Sequence, residues 1–193
     1  MWRKLSKIRF NTLTGEIKRY MVDNKKINWY VAHTRVNQEL WIKKKLDELG
    51  IENFLPQEEQ VRETPLGRKT IRVLLIHGMI FIHTDKATSF SLINDHGLNI
   101  VYLKDIEGRH SLIVPDKQMN DFMFLLDFSK EMVEVVNENL KKGDKVRVIK
   151  GDFAGIEGEL IRVKGHKRVV VRLEGVVSLA TAYIPGSFLE KIE

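Results

Sequence analysis

From residue 28 onward the chain alternates short apolar runs with segments of helical period. Trp29-Tyr30-Val31-Ala32 is an unbroken apolar run of strand length and reads as a buried strand. Val36 to Leu49 places Ile42, Leu46 and Leu49 at i, i+4 and i+7, the spacing of one helix face. Glu39–Lys43 and Lys44–Glu48 are favourable i,i+4 pairs on its wet side, and Gly50 is a natural stop. Ile51–Leu55 reads as extended and ends at Pro56. Gln57–Glu63 and Thr70–Ile76 flank a Thr-Pro-Leu-Gly-Arg-Lys segment, which predicts a hairpin with a basic tip. Met79–His83 is a further strand.

Asp85 can cap a helix running to about His96 and closed by Gly97. Ile100–Leu103 reads as a strand, and Gly108-Arg109 marks a turn. Pro115 and Asp116 open a second clear helix, with Met119, Phe122, Met123 and Leu126 on one face. The succession predicts one α+β sandwich over residues 28–127. Residues 128–140 form a short acidic connector, with one lysine and three glutamates. Beyond it the helical period is lost, glycines recur at 143, 151, 155, 158, 165 and 175, and β-branched residues fill the intervals. Five short strands at this spacing predict a small all-β barrel over residues 141–193.

Charge changes the picture at the N-terminus. The formal balance is +6, and residues 1–27 account for all of it with eight basic and two acidic residues. The rest sums to zero, so a pI near 9.4 does not describe a generally basic nucleic-acid binder. With few apolar residues, residues 1–27 read as a basic arm; a short hairpin about Thr14-Gly15 is the alternative. The absence of cysteine removes disulfides, thiol nucleophiles and cysteine-type zinc sites. No apolar run approaches the ~20 residues that span a bilayer, and no apolar stretch follows the basic start as in a signal peptide. A cytoplasmic monomer with no membrane role is expected.

The most informative stretch is Lys142-Gly143-Asp144-Lys145-Val146-Arg147-Val148-Ile149 followed by Lys150-Gly151-Asp152-Phe153-Ala154-Gly155-Ile156-Glu157-Gly158. Val146 and Val148 alternate with Arg147 as in a strand with one buried face. Gly151 and Gly155 bracket a tight loop that calls for positive φ. Phe153 lies in that loop and either folds back onto the barrel or meets a partner. This segment resembles a KOW motif. Upstream, Trp29-Tyr30-Val31, Glu39, Phe54-Leu55-Pro56, the hairpin at 57–76 and Gly78-Met79-Ile80-Phe81-Ile82 resemble the NGN domain of the NusG family of transcription elongation factors. The order of the two, joined by a short linker, carries the resemblance. It implies an α+β NGN domain, an antiparallel sheet with helices packed on it, followed by a small SH3-like KOW barrel.

The resemblance further implies that the NGN domain docks on the clamp helices of the largest subunit of RNA polymerase. The matching patch is Ile76, Gly78, Met79 and Phe81, with His77 in the turn. Met79 and Phe81 lie two apart on a strand and share a face; plain core packing is the alternative for both. It also implies a path beside the non-template DNA strand, with Arg35 and Lys45 at the facing positions and Arg68 and Lys69 added by the hairpin tip. A solvated charged face is the alternative reading of those four. Phe153 matches the loop aromatic that meets a small-subunit ribosomal protein or the termination factor Rho. Ile76, His77 and Met79 depart from the family's usual turn, and so do Asp152 and the Val176–Pro185 stretch. These departures, with the basic arm, look more like operon-specific antiterminators of long clusters such as those for polysaccharide synthesis.

Catalysis finds no support in pattern. There is no GxxxxGK[ST], GxGxxG or HExxH, and the six histidines are scattered, so neither metal nor cofactor is expected. The function read from the sequence is a non-enzymatic elongation or antitermination factor. The alternative is an RNA- or ribosome-binding KOW protein without a direct polymerase role.

Overall fold

β1 (Asn28–Thr34) is buried from Asn28 through Ala32, and it forms the middle of a five-stranded sheet. β5 (Met79–Thr84) runs antiparallel to it, from Asn28 opposite Thr84 to His33 opposite Met79. β2 (Glu52–Phe54) pairs with the far edge of β5, and β6 (Ile100–Tyr102) with the other side of β1, giving the order β2-β5-β1-β6. β7 (Ile113–Val114) is the fifth strand and pairs with β1. Met79 through Ile82 are all enclosed, so β5 is covered on both faces. That is why both strands read as unbroken apolar runs rather than alternating ones.

The computed structural model describes residues 25–65, 67–127, 133–136, 143–163, 166–173 and 176–192. They form two compact units. The first takes in the chain through Leu55, His77–Asp105 and Arg109–Ile113; the second takes in Pro56–Ile76, Ile106–Gly108 and Val114–Glu193. The basic arm, apart from residues 25–27, lies outside the described residues, as does most of the connector.

In the first unit, α1 (Glu39–Glu48) buries Ile42 and Leu46 completely. It begins three residues later than the pattern predicts because Asn37 takes φ 70, a left-handed conformation that asparagine tolerates and a helix does not. Leu49 stands at the C-cap, 40% exposed, instead of completing the core face. α2 (Lys86–Asn94) is capped by Asp85, whose side chain accepts from the backbone N–H groups of Ala87 and Thr88 at 2.8 and 3.0 Å. These bonds, that from Thr88 first, hold the Asp85 carboxyl below the usual carboxylate range. Trp29, 3% exposed, stacks on His83 with ring centroids 4.5 Å apart, and His83 Nδ1 meets Glu52 Oε2 at 2.6 Å.

In the second unit, β3 (Gln57–Thr64) and β4 (Gly67–Leu74) form a two-stranded sheet of their own, in register from Gln57–Leu74 to Thr64–Gly67. α3 (Asp116–Leu126) encloses Met119, Phe122 and Leu125, while Met123 and Leu126 are half-buried. The buried stripe is rotated from the expected one because the helix also turns Asp121 inward, where it accepts from Glu157 N at 3.2 Å. The C-terminal strands form a six-stranded antiparallel sheet in the order β13-β9-β10-β11-β12-β8. These are β9 (Asp144–Val148), β10 (Glu157–Val163), β11 (His166–Leu173), β12 (Val177–Tyr183) and β13 (Leu189–Lys191), with β8 (Val133–Val136). Five of the six lie in residues 141–193. The sixth, β8, comes from the stretch read as connector: a Val-Glu-Val-Val run pairs with β12. Ile161, Val170 and Ala180 pack together in the core of this sheet. Among the described residues no helix is long and apolar enough to cross a membrane.

Candidate functional site

The turn that leads into β5 is fixed from three directions. Gly78 has φ 69, and a Cβ there would sit 3.2 Å from the Thr34 carbonyl oxygen. Its N–H donates to Glu39 Oε1 at 2.6 Å, and its carbonyl accepts from Thr34 N at 2.9 Å. His33 Nδ1 lies 3.0 Å from the same carbonyl, which suits the tautomer with its proton on that nitrogen. Glu39 is 1% exposed, so the first turn of α1 carries a carboxylate into the interior to hold a backbone amide. A buried acid is costly unless hydrogen-bonded, and the charge-assisted bond to Gly78 together with the positive end of α1 offsets that cost. The sequence resemblance had marked Glu39 only as part of a pattern; the structure assigns its contact.

The expected docking residues are mostly interior. Phe81 is fully enclosed, Met79 is 6% exposed, Gly78 is buried, and Ile76 is half-buried. Met79 and Phe81 do share a strand, but that strand is flanked by β1 and β2 and covered on both faces. Both side chains pack in the interior, with Phe81 against Phe54 at a centroid distance of 6.2 Å. The apolar groups that do face outward nearby are Val36 and Leu40, each 61% exposed, and Trp41, 50% exposed. Pattern reading missed them. The signal was present, because Leu40 and Trp41 lie outside the Ile42–Leu46 stripe and have no core position to fill.

The four cations proposed to face nucleic acid differ in what surrounds them. Arg35 is exposed in the turn between β1 and α1. Lys45 Nζ meets Glu48 Oε2 at 2.7 Å, and it holds that glutamate below the usual carboxylate range. Arg68 is 3.4 Å from Glu63, while Lys69 is exposed opposite Arg62 on the hairpin. Exposed pairs of this kind exchange readily and do not bar a phosphate. They do rank Arg35 and Lys69 as the cations most available to one.

Phe153 has folded back. It is 6% exposed, inside the loop that joins β9 to β10, where Gly151 and Gly155 take φ 83 and 93 as their positions required. α3 grips the far side of that loop: Lys117 Nζ donates to the Gly155 carbonyl at 2.9 Å and pairs with Asp121. A shallow cleft beside this contact is lined by Lys117, Asp121, Lys145, Glu157, Glu159 and Arg172. Its charges are largely paired: Lys117 with Asp121, Arg172 at 3.4 Å from Glu159, and Glu157 at 2.7 Å from Arg147, which lies outside the lining. Among the described residues no three metal-ligating side chains stand together.

Comparison with known proteins agrees with this layout for the first part of the chain. The family model described as "Transcription termination factor nusG" matches residues 27–123, just over half of the 193. A chain in a crystal structure titled MjSpt4:Spt5 complex, conformation B, is 17% identical, with 86% of this chain and 97% of that one covered and a TM-score of 0.25. The match over residues 27–123 takes in the Glu39–Gly78 turn and helices α1, α2 and α3 apart from the last residues of α3, and on it the chain belongs to the NusG family of transcription factors.

Proposed function

We propose that this protein is an elongation and antitermination factor with two working parts. Residues 28–127 bind the clamp helices of RNA polymerase and lie along the non-template DNA strand. Residues 141–193, as a KOW barrel, recruit a small-subunit ribosomal protein or Rho, or contact the emerging RNA. The observation that carries the reading is the order of parts: a NusG-type match over residues 27–123, then a separate antiparallel β-sheet. Docking centres on the outer side of the Gly78 turn, with Val36 and Leu40 as the groups that touch polymerase and Met79 and Phe81 as the packing beneath. Arg35 and Lys69 supply phosphate contacts. The departures at His77, Met79 and Asp152 favour a specialised factor acting on a few long operons over a general one.

Co-elution of the full chain with core polymerase tests the first part. Val36→Glu with Leu40→Glu should cut retention about tenfold or more, equivalent to ~1.4 kcal/mol. An unmodified chain that does not co-elute at all ends the proposal. Mapping polymerase occupancy with and without the protein tests the second part: changes confined to a few long operons fit a specialised factor, and uniform changes fit a general one.

A further inference from the structure

The β3–β4 ribbon sorts its charges by face. Cross-strand partners share a face, and successive residues alternate between faces. One face carries Glu59 opposite Arg72 and Glu63 opposite Arg68. Both pairs close as ion pairs, at 3.4 Å each, so this face is neutral along its length. On the other face Arg62 stands directly opposite Lys69. Both are exposed, and among the described residues neither has an acidic partner. The only carboxylate on that face, Glu58, lies at the base of the ribbon beside Gln60 and opposite Val73.

Like charges placed directly opposite on a ladder repel, and a single change of side chain would remove the conflict. A ribbon that neutralises one face and concentrates positive charge on the other has a direction. We infer that the Arg62–Lys69 face is a phosphate-backbone clamp for nucleic acid, and that Arg68 belongs to the neutral back of the ribbon. The inference rests on the reading of this chain as a transcription factor that runs beside DNA, and it names the residues and the face that meet it. Nucleic acid fits better than an acidic protein surface for two reasons. The ribbon has two strands only, a width that a nucleic-acid groove admits. Among the described residues its outer half places only Arg62, Thr64, Gly67 and Lys69 on the charged face, with no apolar side chain for a protein interface core to bury.

The test compares charge-matched variants of the full chain, Arg62→Gln with Lys69→Gln against Arg68→Gln with Arg72→Gln. Binding to labelled single-stranded and duplex DNA is followed by anisotropy over a salt series, and retention on core polymerase is measured in parallel. The first variant should lose about tenfold or more in DNA affinity. Its slope of log K against log salt should shrink by about 1.4 on single strands, or about 1.8 on duplex, for two lost phosphate contacts. Which of the two DNAs shows the loss identifies the strand form that the clamp holds. The second variant should stay within about threefold of the parent, and Arg62→Lys with Lys69→Arg should restore binding.

Equal losses in both variants, no loss in either, or no DNA binding by the parent at low salt overturns the clamp. So does an unchanged DNA affinity accompanied by weaker polymerase retention, which would assign the face to an acidic protein surface. Polymerase retention by the parent distinguishes failure of the clamp from failure of the wider reading, because it is scored without nucleic acid.

Discussion

The Glu39 carboxylate, on the first turn of one helix, holds the amide of Gly78 at 2.6 Å across a separation of 39 residues. The contact ties the start of α1 to the start of β5, and both ends of it are buried. Removing the acceptor leaves a buried N–H unpaired, which costs about 1–3 kcal/mol, and an emptied site adds to that. Glu39→Ala should therefore destabilise by about 3 kcal/mol in urea unfolding. Glu39→Gln, which keeps an oxygen at the site, should cost nearer 1 kcal/mol. Equal effects from the two would mean that the hydrogen bond is not what the residue contributes.

Gly158 sits within β10, where a Cβ would meet the Val170 carbonyl oxygen at 2.5 Å. Gly158→Ala should force β10 and β11 apart at a cost of about 2–3 kcal/mol. Gly186, with open space around it, is the matched control, and Gly186→Ala should fall within about 0.5 kcal/mol of the parent. Thermal unfolding of both variants reads the difference.

Asp121 is 6% exposed and accepts from both Lys117 and the Glu157 amide. In Asp121→Ala the first amide of β10 loses its side-chain acceptor on α3, while the Lys117 bond to the Gly155 carbonyl remains. Hydrogen exchange at the Glu157 amide should accelerate by about tenfold or more, the equivalent of ~1.4 kcal/mol of lost protection. An unchanged exchange rate would show that the sheet alone holds that amide.

The cap at Asp85 predicts a dependence on acidity. The backbone N–H bonds from Thr88 and Ala87 lower its folded-state pKa, so its contribution is full above the ordinary aspartate range and is lost as pH falls through the folded value. Asp85→Ala should cost about 1 kcal/mol at neutral pH, while Asp85→Asn, still able to cap, should cost less. The gap between the parent and Asp85→Asn should narrow as pH drops below about 4. A gap that stays constant between pH 6 and 3 would contradict the electrostatic share of the cap.

What the sequence disclosed, and what it did not, follows the range of the interactions. Strands β1 and β5 were legible because continuous burial leaves continuous apolar runs, and Gly151 and Gly155 because a tight loop states its own backbone requirement. The start of α1 was misplaced because Asn37 can enter the left-handed region or a helix, and the local pattern does not decide between them. Met79 and Phe81 were expected at a surface from resemblance, yet burial depends on neighbouring strands distant in sequence. Val36, Leu40 and Trp41 escaped notice because periodicity rewards residues that fit a stripe and is silent about those left over. The charge sorting on the ribbon was hidden for another reason: it needs the cross-strand register, which a shift of one residue would invert.

Strand β8 bears on where the chain can be divided. Its four residues hydrogen-bond along β12, which on its other side is already joined to β11. A fragment that begins at residue 141, the natural cut by composition, would leave β12 with an unsatisfied row of amides and carbonyls, a template on which a second copy could lay a strand. A fragment that begins near residue 131 brings its own cover for that row. The stretch between α3 and β9 is therefore a seal as well as a link, and where it is severed decides whether the C-terminal piece stays solitary or begins to associate.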